Sequence, residues 1–305
     1  MKTFDKNLPK EFRTPTSLPK SEEERREWQK TNYDWWQNQP MRYDWKQKIP
    51  FPEFTKEFYS EIDKRFFKNA EEYLPLEKIP FDILIDFDSL RGKSVLEIGV
   101  GNGSHAGLLA RYAGSFTGID LTDYAVKSTR NRMEVFGLQG TILKMDAEKL
   151  EFPDETFDFV WSWGVIHHSA NTGKILKEVH RVLRPRGEAV IMVYHRGWWN
   201  YYVIGFLRGL LSGKIFRHKS LHAAVQLFTD GAIARYYRPS EFKKLCGDLF
   251  MVEKKTILGP KSDFILLPGG RLKDLIESIV PNAASRFLTK NLLMGVFLVF
   301  RLRKI

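Results

Sequence analysis

The chain's 305 residues, 43% hydrophobic and 14% aromatic, suffice for one large α/β core with additions or for two small domains. A single cysteine, Cys246, excludes an internal disulfide and a Cys-based zinc site, and no metal is expected. The net charge of +11 is uneven: residues 1–194 hold 29 Lys+Arg against 30 Asp+Glu, whereas residues 195–305 hold 19 against 7. The basic last third suits an anionic substrate, nucleic acid or a membrane surface, or is a merely solvated basic surface.

No run of 18 apolar residues is present to cross a bilayer. The opening Met-Lys-Thr-Phe-Asp-Lys-Asn lacks the apolar core of a signal peptide. The expectation is a soluble, cytoplasmic protein.

Residues 1–80 alternate polar and aromatic, with prolines at 9, 15, 19, 40, 50 and 52 and a helix start at Ser21-Glu22-Glu23-Glu24. Trp28, Tyr33, Trp35, Trp36, Tyr43 and Trp45 are too many large rings for a disordered tail, so this arm of short helices must pack on something. Short β-rich runs at 94–98, 115–119, 141–145, 157–162 and 189–194 then alternate with helical stretches, the signature of parallel β-α-β units. An aromatic and basic stretch follows to about residue 238. A helix starting near Pro239-Ser240-Glu241, strands at 250–258 and 295–302, and a helix at 272–279 complete the chain. The expected organisation is an arm (1–80), a cofactor-binding core (81–194), a cap (195–238) and the last part of the core (239–305).

The run Val95-Leu96-Glu97-Ile98-Gly99-Val100-Gly101-Asn102-Gly103-Ser104 takes a buried strand into a glycine-rich turn and then a helix. Glycines let that turn fold tightly and let a ligand approach bare backbone at the helix N-terminus. Ser104 stands where the dinucleotide fingerprint needs its third glycine, and Glu97 adds negative charge where a pyrophosphate would need positive. NAD is disfavoured, and a cationic ligand suits the turn better.

With Gly118-Ile119-Asp120-Leu121, Asp146-Ala147, Phe152-Pro153-Asp154-Glu155-Thr156-Phe157-Asp158 and Leu183-Arg184-Pro185-Arg186-Gly187-Glu188 following in order, residues 94–194 resemble the class I methyltransferases, specifically the group similar to the ubiquinone and menaquinone methyltransferases. The resemblance implies an α/β fold: a Rossmann-like, doubly wound, mostly parallel seven-stranded sheet with an N-terminal helical arm and a cap inserted after strand five. It implies S-adenosylmethionine as cofactor, with Asp120 on the ribose hydroxyls and Asp146 at the adenine edge. Glu97, Gly99, Gly101, Asn102, Gly103, Leu121, Ala147, Trp163 and Gly164 are the other candidate cofactor contacts.

Methyl transfer from a sulfonium needs alignment and exclusion of water more than any one catalytic group, but a hydroxyl or protonated amine acceptor must lose a proton. His167 and His168 after strand four, and His195 after strand five, are the candidate bases, with loop-holding hydrogen bonds as the alternative role. Tyr33, Tyr43, Tyr194 and Trp198 are candidates for lining the acceptor pocket, or else for packing arm on core. The leading expectation is methyl transfer to oxygen or nitrogen of a small molecule, anionic or amphipathic, with peripheral membrane contact allowed. The alternatives are a methyltransferase acting on peptide or nucleic acid, disfavoured because no RNA-binding module is recognisable, and a cofactor-binding module without turnover. Acceptor identity and oligomeric state stay open.

Overall fold

The computed structural model describes residues 8, 9, 11–45, 47–267 and 269–305, so the opening Met1 to Asn7 lies outside the described residues. Two regular helices, α1 (Glu22–Asn38) and α2 (Lys56–Ala70), precede the sheet. The Ser21 side chain caps α1 by accepting from the Glu24 amide, and Thr55 caps α2 in the same way through Phe58.

Strands and helices then alternate: β1 (Ser94–Ile98), α3 (Ser104–Tyr112), β2 (Ser115–Asp120), α4 (Asp123–Val135), β3 (Thr141–Lys144), β4 (Phe157–Trp163), α5 (Thr172–Val182) and β5 (Leu183–His195). A π-helical run, Trp198–Ile204, leads into α6 (Gly205–Leu211), α7 (Lys214–His218) and α8 (Leu221–Gln226). The chain ends with β6 (Tyr236–Tyr237), α9 (Pro239–Cys246), β7 (Phe250–Leu258), α10 (Arg271–Ile279), α11 (Asn282–Asn291) and β8 (Phe297–Lys304).

The strands form one sheet in the order β3-β2-β1-β4-β5-β8-β7, with β6 paired to the end of β5. β1 to β5 are parallel, while β8 runs antiparallel to both β5 and β7. This is the doubly wound α/β architecture, with eight strands among the described residues where seven are expected. The extra strand is the two-residue β6, where Tyr194 pairs with Tyr236 and His195 with Tyr237. A pair that short leaves no alternating pattern to read, and its residues fall inside the expected cap.

Alternate residues of each central strand feed two cores. Val95, Phe159, Trp161, Val190 and Met192 pack on one face with Phe66, Phe81 and Leu109. Leu96, Ile98, Val160, Ile191 and Val193 pack on the other with Ile175, Val179 and Phe242. The strand order reverses between β1 and β4, and the carboxyl ends of these strands open the crevice in which such sheets bind ligands. No helix among the described residues is long and apolar enough to cross a membrane. Among those residues no cluster of three or more His, Cys, Asp or Glu could hold a metal ion.

Candidate active site

Parallel pairing of Ile98 with Ile119 brings the glycine turn beside the end of β2. The Gly99 amide donates to the Ile119 carbonyl at 2.8 Å, and Asp120 Oδ2 accepts from the Gly101 amide at 3.2 Å. Asp120 Oδ1 accepts from both the amide and the hydroxyl of Thr122, each at 2.9 Å, so one carboxylate ties the turn to the start of α4. Gly99 has φ +84° and leaves no room for a Cβ, which would lie 2.2 Å from Val165. Gly101, at φ +54°, faces open space: a Cβ there would meet no atom within 4 Å.

That space is part of a cavity of about 310 Å³. Of the candidate cofactor contacts, Glu97, Gly99, Gly101, Asn102, Asp120, Leu121, Asp146, Ala147, Trp163 and Gly164 line it. Gly103 does not. A Cβ there would meet Arg132 at 2.9 Å and Thr129 at 3.0 Å, so this glycine lets α4 pack behind the turn instead of meeting a ligand.

Glu97 is buried, and its Oε2 has no hydrogen-bond partner among the described residues. Burial raises its carboxyl well above the usual range, the charge of Asp120 adds to this, and Arg132 opposes it. Burial also raises Asp120, against the hydrogen bonds from Thr122 and Gly101.

The arm closes the cavity through Gln29, Asn32 and Trp36, which share one face of α1 at helical spacing. Gln29 Nε2 donates to Asp146 Oδ1 at 2.9 Å while its Oε1 accepts from the Ala170 amide at 2.9 Å. Asn32 Nδ2 donates to the His168 carbonyl, and Asn102 Nδ2 donates to the Met41 carbonyl. Tyr33, one of the arm residues expected from sequence, does not line the cavity: it sits at the edge of that face, one turn past Gln29, and its hydroxyl donates to Asp123 at 2.6 Å. The 29/32/36 spacing is the signal in the sequence that marks the facing side, and a preference for tyrosine obscures it.

At the other end the lining is aromatic, with Tyr43, Phe66, Tyr73, Trp163, Tyr194 and Phe297 joined by Met192 and Asp230. Trp198 is outside; its ring is half exposed and its Nε1 donates to the Leu292 carbonyl at 2.8 Å.

The three candidate histidines separate. His168 lines the cavity, and its Nδ1 lies 2.7 Å from the Ile233 carbonyl; since a carbonyl only accepts, Nδ1 carries the hydrogen and Nε2 is the basic nitrogen. His167 has no exposed surface and does not line the cavity, and burial, helped by His168 and Arg235, holds its pKa well below the usual value. His195 is buried away from the cavity with Nδ1 2.9 Å from the Gly295 carbonyl, and burial lowers its pKa as well. Strand-end position alone predicts all three in the site. His167 packs behind the cavity wall, its ring centroid 4.1 Å from those of His168 and Tyr194, and the Gly295 carbonyl holds His195 outside the cavity.

An imidazole and a carboxyl group of the cavity also escape the sequence reading. His105, two residues past the last glycine, lies among Phe66, Phe81 and Trp161, and burial lowers its pKa to about 3. Asp230 reaches the cavity from the cap, beside Gly231, which packs against the His168 ring.

Residues 96–191 match a family described as "Methyltransferase domain". These residues form a methyltransferase domain. S-adenosylmethionine is the cofactor of this domain. The methyltransferase domain is 40% identical over 100 residues to the phthiotriol/phenolphthiotriol dimycocerosates methyltransferase of Mycobacterium tuberculosis (strain ATCC 25177 / H37Ra), a match covering 32% of this chain and 36% of that one. It is 36% identical over 104 residues to the phosphatidylethanolamine N-methyltransferase of Cereibacter sphaeroides, covering 33% and 51%. Against the fatty-acid O-methyltransferase of Mycolicibacterium smegmatis (strain ATCC 700084 / mc(2)155), identity is 39% over 100 residues, covering 32% and 36%. The chain thus spans between about a third and a half of the length of these relatives, and the similarity lies in the methyltransferase domain.

The lining of this methyltransferase domain fits its cofactor on three counts. The buried Glu97 Oε2 lacks a partner, Gly101 presents bare backbone, and the carboxylates of Glu97, Asp120 and Asp146 suit a ligand bearing a sulfonium and an ammonium.

Proposed function

We propose that this chain transfers the methyl group of S-adenosylmethionine to an oxygen or nitrogen of an amphipathic, lipid-like small molecule. In this reading Asp120 holds the ribose, Asp146 the adenine edge, and Glu97, Gly99, Gly101, Asn102, Leu121, Ala147, Trp163 and Gly164 the remainder of the cofactor. The observation that carries it is the polarity of the cavity: carboxylates and bare backbone at the end formed by β1 and β2, and aromatic rings with His168 and Asp230 at the other. Three similar proteins whose names give lipid acceptors support the acceptor class.

When bound, S-adenosylmethionine would supply an activated methyl group, its sulfonium leaving as the neutral thioether of S-adenosylhomocysteine. The chain's residues supply the rest. Tyr43, Tyr194 and Phe297 exclude water and hold an apolar acceptor body by ring contact. Tyr43 and Tyr194 remain neutral phenols, because burial and nearby Asp230 raise both. His168, with Nδ1 committed to Ile233, takes the acceptor proton on Nε2, and the carboxylate of Asp230 stabilises the imidazolium formed.

The test is incubation with methyl-labelled S-adenosylmethionine and a panel of fatty acids, phosphatidylethanolamine, lipid quinols and short water-soluble analogues, read by mass spectrometry. The reading expects label in a long-chain acceptor and little in its short analogue. Label confined to short polar acceptors, or to protein or RNA, would overturn it.

A further inference from the structure

Helices α10 and α11 are built inside out. On α10, Leu272, Leu275 and Ile279 follow at helical spacing along one face and are 62%, 56% and 69% exposed, whereas Lys273 is 8% exposed and donates to the Ser262 carbonyl at 3.2 Å. On α11, Ser285 and Thr289 face inward with no exposed surface, and Phe287 faces out. Helix α6 repeats the inversion: Gly205 and Gly209 are buried against α8 while Phe206 and Leu210 are exposed. A helix packed on a soluble protein normally does the reverse, so these apolar stripes are made for something outside the chain.

The three helices meet at one turn, Lys261–Asp263. Lys273 of α10 donates to Ser262, and Trp199, in the run entering α6, donates from Nε1 to the Asp263 carbonyl at 3.0 Å. Trp198 reaches the Leu292 carbonyl just past α11. The same turn abuts the aromatic end of the cavity: the Lys261 amide donates to Glu72 and the Val296 amide to Asp263, and the next residues in sequence, Tyr73 and Phe297, both line it.

We infer that this face, formed by α6, α10 and α11, seats the protein on an anionic lipid bilayer. The apolar stripes enter the boundary between headgroups and acyl chains. Exposed Arg217, Lys219, Arg271 and Lys290 meet lipid phosphates, in a region with 19 Lys+Arg against 7 Asp+Glu. That excess argues against a second copy as the occupant, because two such faces would repel. The inference goes beyond the methyl-transfer reading and is tested without any acceptor, so either can fail alone.

The experiment is co-sedimentation of the full chain with phosphatidylcholine vesicles, with and without phosphatidylglycerol, beside light scattering of the free protein. Wild type should pellet with the anionic vesicles and release at high salt. Leu272→Gln/Leu275→Gln/Ile279→Gln should lower vesicle partition by roughly tenfold or more, because each of the three loses apolar burial in the bilayer. Arg217→Glu/Lys219→Glu should also weaken it, while both variants bind S-adenosylmethionine as wild type does. Wild type that stays in the supernatant, or a triple variant that pellets equally, would overturn the inference. So would a stable dimer that the triple variant dissolves, since the face would then belong to a second copy.

Discussion

The carboxamide of Gln29 holds Asp146 from the arm, donating from Nε2 to Oδ1 at 2.9 Å, while its other end accepts from Ala170. A residue of the first helix therefore orients the carboxylate assigned to the adenine edge. Removing both hydrogen bonds in Gln29→Ala should weaken S-adenosylmethionine binding by about 1 to 2 kcal/mol, roughly five- to thirtyfold, measured by calorimetry. Cofactor should also protect α1 from limited proteolysis in wild type and protect it less in the variant. Unchanged affinity would show that the arm closes the cavity without supporting the cofactor.

Glu97 makes cofactor binding depend on pH. Burial and the nearby charge of Asp120 hold its carboxyl well above the usual range, so the empty site favours the protonated form. A cationic ligand favours the ionised form, so binding should release a proton and affinity should rise with pH. Calorimetry in two buffers of different ionisation enthalpy measures that proton. Glu97→Gln should abolish the release and flatten the pH dependence; a release unchanged in the variant would assign the proton elsewhere.

The sheet is legible in the sequence because its signals are local: five short runs rich in aliphatic and aromatic residues, three of them followed directly by a Gly or Asp, lie within a residue or two of β1 to β4 and the latter half of β5. The cofactor end is legible for the same reason, since Glu97, Gly101 and Asp120 take their places from strand ends in register. The acceptor end is legible only in part, through Tyr43, His168 and Tyr194, because the rest of it is assembled from three distant segments. Trp36 comes from the arm, Asp230 from the cap and Phe297 from the last strand, and only tertiary packing brings them to one cavity. Tyr33 and Trp36 are neighbours on one side of α1, and only the contact of the Tyr33 hydroxyl with Asp123, at the start of α4, decides which of the two reaches the cavity. The outward stripe of α10 is hidden likewise, since periodicity locates an apolar face without saying which way it points.

Arg235 fastens arm to cap. It has no exposed surface and donates to the carbonyls of Ser17, Ser169 and Ala170 while its guanidinium lies over the rings of Phe12 and Trp28, 5.5 and 5.7 Å from their centroids. Arg235→Met keeps the stem volume but strands the two buried carbonyls of Ser169 and Ala170 and the half-buried one of Ser17, which should cost roughly 3 kcal/mol in urea unfolding. Arg235→Lys should recover little, because a single ammonium cannot span the three acceptors in the guanidinium's fixed fork. A loss under about 0.5 kcal/mol, the range of ordinary surface changes, would mean that the arm is held by other contacts.

The last expectation separates the histidines. Only His168 of the three candidates lines the cavity, and its Nδ1 contact with the Ile233 carbonyl makes Nε2 the basic nitrogen. His168→Ala should lower turnover about a hundredfold or more with S-adenosylmethionine affinity nearly intact, the size expected for loss of a general base. Asp230→Asn should lower turnover less, because it removes stabilisation of the imidazolium but leaves the base in place. His195→Ala, which removes a buried ring bonded to Gly295, should reduce stability and leave the turnover of the folded protein unchanged. His105 is the internal control: it lines the cavity near Glu97, and burial already holds it neutral with a pKa of about 3, too weak a base to compete at neutral pH. If His105→Phe falls as far as expected for His168→Ala while His168→Ala keeps wild-type turnover, the proton leaves toward α3 and the acceptor lies on the opposite side of the cavity from the one assigned to it.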